Sequence, residues 1–507
     1  MINRPFAQIT AGLTGWLLLA ICLHAEPISE TPGSRSITEY GAVADVSINS
    51  AASIQKAIDA AYEVGGGTVV VPAGKSFMCG SLTLKSHVRL HLEPGSVLRA
   101  SPNITDYINY EHLPLFAKSD FCRFWIFANK AEQVTIDGSG TLDANSDAFI
   151  IKRLESHNVA RNPRAQSIVF LGCQDVTLRD VRIINTPSWA VRPAGCDRVL
   201  IENITILNDL KLVNSDGIDI DCSRSVRIAN CHIQAGDDAI SIKGREEISK
   251  EYGPCEDIVI TGCVLESHCC AFRLGLESFV DFRRIVFTNS TIRRSHRGIA
   301  IDCRDAAVIE DVLISNITVE TMHPNPVWWH EGEPIWICQV PSPAGRVGGG
   351  GKVARLRNIV FRDILIRSEQ GVYVQGADNQ FQPDDIVFEN VRIHIQKKTP
   401  YPAGFFDPRP HQPGFIPAGS RGMQEESKSG ALHQHDVPGF FLDRCGNITL
   451  RNCKVTFEEG LGAPYSHALE AHDVRRLVLD GFEGKAARAE LPARLIERCV
   501  IKESTGY

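Results

Sequence analysis

Val199–Ile206 reads VLIENITI, and Val226–Ile233, which starts 27 residues further on, reads VRIANCHI. Both alternate apolar and variable positions, place Asn fifth, and then resume the alternation one step out of phase. Alternation is the mark of a strand with one buried face, and the phase break means that the chain turns a corner at the Asn. Asn fits there because its short polar side chain tolerates the left-handed backbone of a tight corner. The phrase recurs at Val176–Ile183, Ile258–Leu265, Ile285–Ile292, Val312–Val319, Ile359–Ile366, Ile386–Ile393 and Ile448–Val455. Starts of adjacent copies lie 23 to 32 residues apart, the spacing of a solenoid.

A rung of about 27 residues is too long for a hexapeptide helix and too rich in strand for a leucine-rich horseshoe. The expectation is an all-β, single-stranded, right-handed parallel β-helix. Asn203, Asn230, Asn289, Asn316, Asn390 and Asn452, with Asp180 and Asp363, should form a ladder along one corner. Cys231, Cys263 and Cys453 follow that corner at inward positions that other rungs fill with Ile or Val, so they read as buried free thiols. Upstream, Ala51–Val64 places Ile54, Ala57, Ile58 and Ala61 on one helical face behind Asn49 or Ser50 as N-cap, and Gly65-Gly66-Gly67 stops it. A solenoid needs its open end covered, and this short helix is the expected N-terminal cap.

The chain has 507 residues, is 43% hydrophobic and carries a formal charge of -7. With no Lys/Arg run, it is not expected to bind nucleic acid or an anionic membrane, and an acidic polymer would have to meet local basic residues. Arg4, the apolar run Leu13–Leu23 and Ala25 ahead of Glu26-Pro27 read as a cleavable secretory leader, residues 1–25. Residues 26–507 then form one exported domain, secreted or periplasmic and monomeric, with long loops near 320–355 and 395–440 where Gly and Pro interrupt the phrase. Sixteen cysteines, less Cys22 in the leader, leave an odd number that cannot all pair.

Asn214-Ser215-Asp216 and Gly236-Asp237-Asp238 stand about one rung apart, each just before alternating strand residues, Ile218-Asp219-Ile220 and Ile240-Ser241-Ile242. Stacked rungs are about 4.8 Å apart, so three carboxylates gather on one face and their repulsion raises at least one pKa. That is the pairing a glycosidase uses: one carboxylic acid protonates the bridging oxygen, while a carboxylate activates water. The competing structural reading has these aspartates capping loops or binding Ca²⁺.

On these motifs the chain resembles glycoside hydrolase family 28, the polygalacturonases and their relatives. The resemblance also runs through Tyr40-Gly41-Ala42, Ala57–Ala61, Gly65–Val69, Leu84-Lys85-Ser86, Asn185–Trp189 and on to Lys243. It implies a polygalacturonase-like glycoside hydrolase acting on pectic polysaccharide with inversion, without metal or cofactor. Asp237 is then the acid and Asp216 and Asp238 the base, with Asn214 and Lys243 beside them at the substrate.

Two motifs depart from the family. Its Gly-His-Gly is replaced by Cys269-Cys270-Ala271, with Cys270 at the histidine position and His268 off register. Its Arg-Ile-Lys carboxylate clamp is replaced by Ala300-Ile301-Asp302, leaving Arg273 and Lys243 either to supply the missing charge or to be solvated residues. Trp328-Trp329 lie on a polar loop, where Trp329 stacks on sugar or packs in the core. A rhamnogalacturonan or other substituted acidic glycan therefore competes with plain galacturonan as substrate. A Ca²⁺-dependent pectate lyase and a non-catalytic glycan-binding solenoid stand as the alternative classes.

Overall fold

The computed structural model describes residues 33–116, 122–303, 305–325, 330–339, 353–378, 380, 382–407 and 433–504. The expected leader, Trp328, Trp329, residues 341–351 and much of 399–430 lie outside the described residues. Parallel pairings join strand after strand into one continuous 35-stranded sheet that winds as a right-handed β-helix.

Three strand columns make up each rung. The repeated phrase supplies the second and third: Val199 pairs with Val226 and Ile201 with Ile228, while Ile206 pairs with Ile233 across the corner. All eight proposed corner residues have the left-handed backbone, with φ from 49° at Asn452 to 66° at Asp180. The ladder is hydrogen-bonded between rungs: Asn203 Nδ2 donates to Asp180 Oδ1 at 2.8 Å, and Asn390 Nδ2 donates to Asp363 Oδ1 at 2.8 Å. Cys231, Cys263 and Cys453 are buried behind it, and the fourteen cysteines whose side chains are described are all free.

A second left-handed line, which the sequence did not announce, marks the entry to the second column. Asp175, Arg198, Ser225, Asp257, Arg284, Asp311, Asn358 and Asp385 share φ of 51° to 58°. Neighbouring rungs are cross-linked there by exposed pairs, Arg198 to Asp175 and Arg284 to Asp257, both at 2.7 Å. Exposed pairs of this kind contribute little to stability, so the backbone conformation rather than the charge is the constraint.

Helix α1, Ala51–Glu63, buries Ile54, Ala57, Ile58 and Ala61 against the first rungs as expected. Its Gln55 works like a peptide group: Nε2 donates to Thr83 O at 3.0 Å and Oε1 accepts from Thr83 N at 2.8 Å. Backbone groups at the solenoid's open edge are thereby satisfied. Ser50 is the N-cap residue, although it is Asn49 Oδ1 that accepts the Ala51 N–H, at 3.0 Å. No helix among the described residues is long and apolar enough to cross a membrane.

The first column carries the site. Its strands include Val191–Ala194, Ile218–Asp221, Ile240–Gly244, Cys270–Ser278, Arg297–Cys303, Ile335–Cys338 and Val372–Gln375. Ile335–Cys338 lies within the stretch expected as loop, because the phrase used to find rungs describes the other two columns. Inward positions stack Ile218, Ile240, Phe272, Ile299 and Ile335 in the core.

Candidate active site

Asp216 and the Asp237-Asp238 pair sit in the turns that lead into two adjacent first-column strands. The turns touch directly: Gly217 N donates to Asp238 O at 2.8 Å. A Cβ on Gly217 would lie 2.3 Å from Ala239 O, so this approach needs glycine. All three aspartates are almost wholly buried, at 2%, 7% and 4% exposure respectively.

One ammonium joins the rungs. Lys243 Nζ lies 3.6 Å from Asp216 Oδ2, 3.2 Å from Asp219 Oδ1 and 3.4 Å from Asp238 Oδ2. Burial opposes its charge, but Asp219, Asp238 and Asp216 together hold Lys243 well above the ordinary lysine range. Its Nζ also lies 5.0 Å from the Trp189 ring centroid, over which Arg192 and Arg245 stand as well. Trp189 thus packs beneath three cations, an arrangement its quadrupole favours.

Arg273 is the second organising cation. Its Nε donates to Asp238 Oδ1 at 2.9 Å and its Nη1 to Asp302 Oδ2, while Nη2 lies 3.1 Å from His330 Nε2 and 3.5 Å from Cys269 Sγ. Arginine can only donate, so His330 Nε2 is the acceptor and this ring nitrogen carries no proton. Asp238 therefore takes a cation on each oxygen. Asp237 instead accepts the Asn214 N–H at Oδ2, 3.1 Å away, and the Asp238 N–H at Oδ1, 3.0 Å away.

These surroundings separate the carboxyls. Burial, and then the neighbouring Asp238, raise Asp237 above the usual carboxylate range. Burial with Asp219 and Asp237 holds Asp216 well above it, against the pull of Lys243. Burial pushes Asp219 up to about 6, with Lys243 opposing. The cluster cannot ionise completely, so it stores a proton next to a carboxylate pinned by two cations.

Among the residues expected at the substrate, Asn214 and Lys243 join the aspartates. Arg273 joins them too, but it and Lys243 are buried and engaged, so neither is a free clamp. Cys270 Sγ faces the backbone, 3.2 Å from Phe272 O, within an apolar cluster that holds Ala300, Trp336, Tyr373 and Phe441. His268 has Glu266, Lys211, Asp209 and Arg294 as charged neighbours, and burial lowers its pKa. Trp329 lies outside the described residues. Asp302 is not a bare acid: Arg297 Nη1 lies 3.7 Å away, besides its bond to Arg273.

Sequence reading missed Arg164, Asp219 and His330. The outward parity of Asp219 within Ile218-Asp219-Ile220 was a usable signal. His330 and Arg164 had none, since they arrive 57 and 109 residues away in sequence from Arg273. Asp237, Asp238 and Cys269 bring ligand atoms within 4.8 Å of one another, the one such group of metal-type donors among the described residues. Lys243 and Arg273 already neutralise Asp238 there, so these residues do not call for a cation.

A right-handed parallel β-helix with buried, clustered carboxylates on its first strand column defines a class of carbohydrate-active solenoid. The model of glycosyl hydrolases family 28 matches residues 65–401, and the chain belongs to that family. It is 28% identical over 314 residues to a probable polygalacturonase of Vitis vinifera, covering 59% of this chain and 63% of that one, so it spans less than two thirds of that relative. It is 25% identical over 419 residues to an endo-polygalacturonase of Pectobacterium carotovorum subsp. carotovorum, covering 77% of this chain and 95% of the relative. The family 28 exopolygalacturonase of Yersinia enterocolitica superposes with a TM-score of 0.65 at 14% identity, over 90% of this chain and 78% of that one, a likeness of fold.

Proposed function

We propose that the chain is an exported glycoside hydrolase that cleaves pectic polysaccharide by a polygalacturonase-like, inverting, metal-free mechanism. Asp237 is the general acid in this reading, and Asp238 with Asp216 is the base that activates water. The observation that carries it is the asymmetry of the adjacent pair: Asp238 is held by Lys243 and Arg273, and Lys243 also reaches Asp216, while Asp237 has no cation within ion-pair distance among the described residues. Proton donor and carboxylate are thereby assigned to neighbouring residues, as acid and base roles require. The named activities of the relatives support the substrate class.

The test is product release from polygalacturonate, rhamnogalacturonan and their oligomers, with a chelator present. New reducing ends, no unsaturated ultraviolet-absorbing product, and a first-formed anomer opposite to that of the bond cleaved are expected. An unsaturated product that vanishes with chelator would make the chain a lyase. Binding without any cleavage would make it a glycan-binding solenoid.

A further inference from the structure

Arg164 Nη2 donates to Val213 O at 3.2 Å and to Asn214 Oδ1 at 2.9 Å. The Val213 carbonyl and the Asn214 N–H belong to one peptide group, and that N–H is the donor to Asp237 Oδ2 at 3.1 Å. A buried guanidinium thus holds the oxygen end of the peptide whose nitrogen end holds the acid. Asn214 has φ of 58°, in the left-handed region, and Arg164 grips both its side chain and the carbonyl before it. We infer that Arg164 is a positioning residue for Asp237, fixing the peptide that meets its carboxyl and placing behind it a positive charge that no carboxylate contacts among the described residues.

Two further observations support this. Arg164 is 3% exposed, and its Nε and Nη1 have no hydrogen-bond partner among the described residues, so no contacting carboxylate cancels its charge. Burial brings its pKa down to about 10, with Asp216 and Asp237 the groups that support its charge. Leaving such donors unsatisfied is costly, and a cation at a carbonyl strengthens the N–H on the far side of the same peptide. The groups facing Asp237 are Asp238 and Asp216, which raise its pKa, and Lys243, Arg273, the Cys269 thiol and Arg164, which favour its ionised form. Arg164 therefore makes Asp237 a stronger acid than burial alone would leave it.

The inference rests on Asp237 being the acid, and its test uses the full chain with polygalacturonate as probe. Kinetic pH profiles are paired with infrared titration of the Asp237 carboxyl, assigned by difference from Asp237→Asn. Arg164→Gln is expected to move the alkaline limb and the carboxyl titration upward by about half to one pH unit, with kcat down roughly ten- to hundredfold and KM changed less. Arg164→Lys keeps the charge and should keep the limb. A loss of melting temperature in Arg164→Gln with limb and titration unmoved would make Arg164 merely structural. Should Arg164→Gln fail to fold, Arg164→Lys decides: a lowered kcat with an unmoved limb is predicted, and an unchanged kcat contradicts. Activity retained in Asp237→Asn would overturn the acid assignment itself; an inactive Asp237→Asn beside a wild-type titration in Arg164→Gln overturns only this inference.

Discussion

Arg273 reaches one rung along the solenoid to bond the carboxylate of Asp302, which stands two residues beyond Ala300, its register neighbour. Asp302, which stands at the end of the replaced clamp, is already neutralised by Arg273 and flanked by Arg297. What is lost relative to the family clamp is a free cation, since each guanidinium nitrogen of Arg273 already faces a partner.

This relationship predicts substrate preference. Two charge-assisted hydrogen bonds to a uronate, each worth roughly 1.5 to 3 kcal/mol, are missing. Plain polygalacturonate should therefore have a kcat/KM about a hundredfold below that of a branched or mixed pectic oligomer. Equal kcat/KM for the two would show that another cation serves the subsite.

Stability should carry the signature of the crowded site. Asp219 is pushed from the ordinary carboxylate range up to about 6, so the folded state holds its proton more tightly than the unfolded chain. That contribution is complete below about pH 4 and is lost as pH rises through about 6, at most about 3 kcal/mol. Asp219→Asn should gain stability relative to wild type between pH 4 and pH 7 in denaturant titrations, whatever other groups do in common. A pH-independent difference would mean that Asp219 stays ionised throughout.

The cysteines should behave as core residues. Burial pushes the thiols of Cys79, Cys338 and Cys453 up to about 12, so they carry no thiolate at neutral pH. A thiol reagent should find almost none reactive in the native protein and nearly all after unfolding, and reductant should leave the melting temperature unchanged. Disulfide-linked peptides in a mass map would contradict this.

The second and third strand columns were legible because their alternation is local and their corner residue is nearly always Asn or Asp. One rung with glycine at the corner escaped, although Ile258–Leu265, with Gly262 there, did not: Gly481 follows Asn452 on the ladder, and a Cβ there would meet Asn452 Oδ1 at 2.7 Å. The entry corner escaped because residues as unlike as Arg198 and Ser225 adopt it. The three aspartates were legible from their spacing. Their partners were not: His330 and Arg164 converge on the site only through the winding of the solenoid, and charge pairing such as Arg273 with Asp302 has no local signature.

The direct test of the account is Asp237→Asn, assayed on whichever pectic oligomer the wild type cleaves fastest. The amide keeps the shape and can still accept the Asn214 N–H, but it has no proton to give. The account predicts a kcat lower by roughly a hundredfold to ten-thousandfold, with the melting temperature within a few degrees of wild type. A variant that keeps most of its kcat, or one that loses activity only because it unfolds, would contradict the assignment of Asp237 as the acid.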